Sequence, residues 1–195
     1  MVSKTLSFKN EIYRKLIHFC SLIFSLLYFY NDFLFFFTVL FISTLFITFI
    51  NIYYYKIVSL INKKINIDFV IRDNEYRSFW SATLMMFGFL LITFFFSKNV
   101  AIISMLITSI SDPLAALFGI KYGQIKLFNN KTLEGSFIFL SSTFLVLFFY
   151  LNTISIFILI VSIMISLTEL FTPMKYDNFS IPIVSALLLT GFNIY

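Results

Sequence analysis

Seven apolar runs constrain this chain more than any other feature. They occupy residues 16–30, 33–55, 79–96, 99–119, 137–151, 154–170 and 180–192. A helix needs ~20 predominantly apolar residues to cross the hydrocarbon core of a bilayer. In lipid, every backbone amide and carbonyl must be satisfied within the protein, which restricts spanning structures to helices and closed barrels. The runs predict an all-α, polytopic transmembrane helix bundle of about seven segments, the last short enough either to span or to re-enter. A single integral membrane domain over residues 1–195 is expected, because a chain 60% hydrophobic and 12% charged leaves no stretch for a separate soluble module.

The first run follows a basic stretch, as a signal peptide would, but Phe29-Tyr30-Asn31-Asp32 follows it in place of a small-x-small cleavage site. It is therefore expected to stay as the first helix. Tyr53, Tyr54 and Tyr55 close the second run as an interfacial aromatic belt. Residues 56–78, the longest polar connection, predict a short amphipathic piece on the membrane surface. The one cysteine, Cys20, cannot form an intrachain disulfide, and no His or Cys spacing suits a metal cluster.

Charge orients the bundle. With the N-terminus inside, segments 1–15, 56–78, 120–135 and 171–179 hold every Lys and Arg except Lys98. The positive-inside rule then predicts a cytoplasmic N-terminus. The net charge of +5 is thus an orientation signal, with no nucleic-acid partner implied. In this orientation Glu11, Arg14, Lys15, His18, Asp112, Lys131, Glu134, Glu169, Asp177 and Asn178 all fall at the cytoplasmic face. The outer loops keep only Asp32 and Lys98. A site using a water-soluble co-substrate needs that asymmetry.

The densest chemistry lies in SISDPLAALFGIKYGQIKLFNNKTLEGS, residues 109–136. A carboxylate at membrane depth costs at least ~2.5–3.5 kcal/mol, so Asp112 is a functional candidate unless it caps a helix or pairs with a lysine. From that cost alone, Asp112→Asn is expected to fold at least as well as the native chain. Pro113 lacks an amide proton and disfavours helical geometry before it, which predicts a kink or break. Gly119 and Gly123 permit tight turning, although their spacing also suits helix packing. The loop then delivers Lys131, Thr132, Glu134 and Gly135. Asp112 with Glu134, joined by Glu169 or Asp177, offers hard oxygen ligands for Mg²⁺, and Lys131 a point charge for phosphate. Glu11, Arg14, Lys15 and His18 stand at i, i+3, i+4 and i+7, on one helix stripe. Such a stripe also suits an interfacial anchor with an internal ion pair.

Three motifs then appear in order: E-x-x-R-K-x-x-H at residues 11–18, D-P-x-A-A-x-x-G-x-x-x-G with K-T-x-E-G-S at 112–136, and E-x7-D-N-x-x-I-P at 169–182. Together they resemble the polyprenol kinase family of dolichol kinase, phytol kinase and CTP-dependent diacylglycerol kinase, which is related to the membrane cytidylyltransferases. The resemblance spans almost the whole chain. It implies transfer of a phosphoryl group, from CTP with Mg²⁺, to the hydroxyl of a lipid alcohol that reaches a cytoplasmic-face site from the bilayer. It implies catalytic roles for Asp112, Lys131 and Glu134. It implies nucleotide or phosphate contacts for Arg14, Lys15, Gly119, Gly123, Lys131, Thr132 and Gly135, with Glu11 orienting Arg14 and His18 and Asn178 as secondary candidates. No Walker loop or soluble-kinase motif set competes with it. Two rivals remain open: CDP-lipid synthesis, which needs nearly the same residues, and a small ion-coupled transporter using Asp112 and Glu169. A homo-oligomer is also left open.

Overall fold

The computed structural model describes residues 8–60 and 80–194. Eight α-helices appear among them: α1 (Phe8–Phe19), α2 (Leu22–Tyr30), α3 (Phe33–Leu60), α4 (Ser81–Phe95), α5 (Lys98–Tyr122), α6 (Leu133–Leu151), α7 (Ile156–Phe171) and α8 (Asp177–Gly191). A 3₁₀ turn, Phe128–Asn130, precedes α6. The described residues hold no strand, only an isolated bridge between Lys126 and Thr132.

Each apolar run is helical, and the first is divided at Cys20–Ser21 into α1 and α2. Among the described residues, four stretches are long and apolar enough to cross a membrane: Glu11–Tyr30, Phe33–Tyr53, Lys98–Tyr122 and Leu133–Leu151. α4 and α7 are shorter apolar helices of 15 and 16 residues. The predicted second run ends at Tyr55, whereas α3 continues to Leu60. The amphipathic surface piece falls mainly on residues 61–79, outside the described residues.

α5 forms the centre, packing on α1, α2, α4, α6 and α8. Of its most apolar window 72% is buried, against 17% for that of α3. Residue size explains the contrast. The inner face of α5 carries Ala101, Ser104, Thr108, Ser109, Ser111 and Ala115, all buried; small side chains let neighbouring helices approach closely. α3 instead carries Phe33, Phe35, Phe41, Phe46 and Phe49 on exposed positions. Hydroxyl pairs set the rotation of α5: Ser109 meets Ser21 at 2.6 Å, and Thr143 donates to Ser111 at 3.1 Å.

One local expectation is corrected. α5 does not break at Asp112–Pro113; it runs unbroken through the proline. Pro113 removes a single intrahelical hydrogen bond, a loss that packed neighbours and side-chain hydroxyls offset inside helix bundles. Gly123 caps the end of α5, and the positive φ nearby falls on Asn129 (φ 54°), no glycine having one. Gly119 provides clearance. A Cβ there would meet Thr132 Oγ1 at 2.8 Å, and one at Gly135 would meet the Ala115 carbonyl at 3.0 Å.

Candidate functional site

The start of α1 brings four polar side chains to the bundle. Arg14 clamps Glu11 two-pronged, Nε to Oε2 at 3.1 Å and Nη2 to Oε1 at 2.6 Å. Lys15 turns inward and donates to Asp112 Oδ2 at 2.5 Å. One turn further on, His18 Nδ1 lies 3.1 Å from the same oxygen. The i, i+3, i+4, i+7 stripe therefore belongs to a tertiary contact with α5, and an anchor alone does not account for it.

A second set forms where the loop before α6 meets the junction of α7 and α8. Lys131 Nζ lies 2.8 Å from Glu169 Oε1 and 3.8 Å from Asp177 Oδ2, and it also donates to the Glu169 carbonyl. Asn178 donates its backbone amide to Asp177 Oδ1 at 2.8 Å and its side-chain amide to Ser81 Oγ at the start of α4. Asp177 interacts electrostatically with Asp112, Lys15, Lys131 and Arg14, which joins the two sets into one cluster.

The cluster is closed to solvent. Lys15 and Asp112 are each 3% exposed, and Glu11, His18, Lys131, Glu169, Asp177 and Asn178 are also buried. Charges tolerate such burial only when paired and hydrogen-bonded. Arg14 faces Glu11, Lys15 faces Asp112, and Lys131 faces Glu169 and Asp177. Glu169 Oε2 and Asn178 Oδ1 are buried and have no hydrogen-bond partner among the described residues.

The glycine and loop residues lie outside this cluster. Gly119, Gly123 and Gly135 line the approach of α6 to α5, and Thr132 caps α6, accepting from the Gly135 amide at 3.2 Å. Glu134 is not brought to Asp112 as an ion-cluster partner. Its Oε1 accepts the amides of Gln124 at 3.0 Å and Ile125 at 3.4 Å and so braces the loop that carries Lys131. Aromatic contact between Phe128 and Phe171, and donation from Asn129 Nδ2 to the Phe171 carbonyl, dock that loop on α7. Sequence reasoning missed Ser81: a serine opening an apolar helix carries no signal until Asn178, 97 residues away, is seen beside it.

Among the described residues, no group of three or more His, Cys, Asp or Glu is arranged to hold a metal ion. Lys15 and Lys131 already stand against the carboxylates a cation would use. The buried, unpartnered Glu169 Oε2 fits a cation that arrives with ligands of its own. Mg²⁺ binds in that manner, through one or two carboxylates, waters and substrate phosphates.

Fold and site together define an all-helical protein with four helices of membrane-crossing length and composition and a buried ion cluster at one end. The chain is 33% identical over 200 residues to an uncharacterized protein of Rickettsia prowazekii (strain Madrid E), covering 97% of this chain and 98% of that protein. It belongs to the same family as that protein. No protein-family model matches the chain, and no solved structure matches it.

Proposed function

We propose that this protein is an integral membrane lipid-alcohol kinase, transferring the terminal phosphoryl group of CTP to a polyprenol or phytol-like hydroxyl. The observation that carries this reading is convergence. Residues of all three motifs, from α1, α5, the loop before α6, α7 and α8, meet in one buried cluster. We further propose seven membrane segments with a cytoplasmic N-terminus, so that the cluster faces the compartment that holds nucleotide.

The residues divide the work. Arg14, Lys15 and Lys131 are the phosphate-binding cations, and each stands against a carboxylate. Phosphate binding requires an exchange of partners, the lysines moving from carboxylate to phosphate and leaving Asp112 and Glu169 free. One or two of Asp112, Glu169 and Asp177 would hold a Mg²⁺ ion brought with the nucleotide, which when bound would neutralise charge on the phosphoryl oxygens. The alcohol oxygen forms a bond to the terminal phosphorus while the bond to the bridging oxygen breaks. CDP leaves, and the hydroxyl proton passes to a carboxylate of the cluster.

The test is to incubate purified protein with Mg²⁺, CTP labelled at the terminal phosphate, and a panel of lipid alcohols and lipid phosphates. A labelled lipid monophosphate together with CDP is expected. A CDP-lipid with release of pyrophosphate assigns the chain to cytidylyl transfer and overturns the kinase reading.

A further inference from the structure

We infer that the side-chain amide of Asn178, braced by Ser81, is the acceptor that binds the hydroxyl group of the lipid alcohol. The inference rests on the kinase reading and names its acceptor subsite. Asn178 is 3% exposed in the first turn of α8, next to Asp177. Its Nδ2 is taken by Ser81 Oγ, which leaves Oδ1 facing inward. That oxygen is buried and has no hydrogen-bond partner among the described residues. A buried carbonyl oxygen without a donor costs stability that a bound donor returns.

Chemistry narrows what that donor is. Glu169 Oε2, in the same cluster, is also a buried oxygen with no partner among the described residues. Phosphate oxygens only accept, so none of them can satisfy Asn178 Oδ1; their partners are Arg14, Lys15 and Lys131. A neutral O–H group meets the requirement: it donates to Asn178 Oδ1 and keeps its own oxygen lone pairs for the phosphorus. Ser81 and Asn178 thereby separate the alcohol side of the site, at α4 and α8, from the phosphate side at α1, α5 and the Lys131 loop.

The test needs neither nucleotide nor turnover. Trp80, the only tryptophan of the chain, adjoins Ser81, so its fluorescence reports binding at this point. Purified protein in nanodiscs is titrated with phytol and with a long polyprenol, each beside its O-methyl ether. The ether keeps chain and acceptor oxygen and lacks only the donor proton. The alcohol is expected to bind about five- to tenfold more tightly than the ether, the worth of one hydrogen bond. Asn178→Leu should abolish that preference, and Ser81→Ala should reduce it by loosening the amide. Equal affinity of alcohol and ether in the native protein, or binding of neither, overturns the inference without recourse to any variant. Tighter binding of the corresponding amine than of the alcohol overturns it too. A preserved alcohol preference in a protein that phosphorylates no alcohol would sink the kinase reading alone.

Discussion

The two ends of the bundle treat a lysine in opposite ways. At one end Lys131 is buried and held against Glu169 and Asp177. At the other, Lys98 is exposed at the start of α5, donates to the Asn31 carbonyl at 3.0 Å and stands 5.5 Å above the Tyr28 ring. Contacts of the second kind contribute at most about 1 kcal/mol. Buried pairs are different: their desolvation opposes their attraction, yet removal of one partner costs about 3–5 kcal/mol. A fold seeking only stability has no reason to gather such pairs at one end. The contrast sets apart the end at which the proposed site stands.

Asp112→Asn should show the largest effect. Burial cost alone argues that the neutral amide is easier to accommodate, but Lys15 alters the balance. Its ammonium is 3% exposed and lies 2.5 Å from Asp112, so the substitution strands a buried positive charge. Thermal unfolding in detergent should show a loss of about 3–5 kcal/mol. Adding Lys15→Met should restore most of that stability, because both charges are then gone. Phosphoryl transfer should fall ~10²-fold or more in the single variant and stay lost in the double one. An Asp112→Asn protein with native activity would remove the centre of the proposed site.

Lys131→Ala and Lys98→Ala compare the ends directly. Lys131→Ala leaves Glu169 and Asp177 facing each other without their cation, and it takes a phosphate ligand from the nucleotide. For CTP, kcat/KM should drop roughly 10- to 100-fold, the range lost with one electrostatic contact to a transferring group. Lys98→Ala should change it by less than about twofold, as exposed contacts away from a site do. Similar losses in both variants would show that the two ends differ in geometry and not in function.

How much of this was legible beforehand follows from which residues break a local rule. The helices were readable because long apolar runs leave the backbone little alternative. The charged motif residues stood out because a carboxylate or ammonium inside such runs is costly without a purpose. Partner choice was not legible: Lys15 and Asp112 are 97 residues apart, and only the packing of α1 on α5 joins them. The contacts of Glu134 were not legible for the same reason: it reads as a hard oxygen ligand beside Asp112, and in the structure one of its oxygens accepts from two loop amides. The unbroken helix at Pro113 reflects tertiary packing overriding a local preference, which no window of sequence displays.

The smallest expected effect separates the ends by their glycines. A Cβ at Gly119 would stand 2.8 Å from Thr132 Oγ1 and 3.5 Å from Gly135 Cα, so α6 or its capping residue must shift. Overpacking of this kind costs about 1–3 kcal/mol. At Gly191, the last residue of α8, nothing lies within 4 Å of the added carbon and φ is not positive. Gly191→Ala should therefore leave stability unchanged or raise it by about 0.4–1 kcal/mol through the unfolded chain. The mechanism at Gly119 can be isolated with Thr132→Ala, which on its own forfeits the cap and about 1 kcal/mol. In that background the obstructing oxygen is absent, so Gly119→Ala should lose less than it does in the native chain. The difference between the two penalties, read by thermal unfolding as a double-mutant cycle, measures the contact itself. Strictly additive losses would mean that Gly119 is not there to clear Thr132, and that α5 and α6 approach closely for another reason.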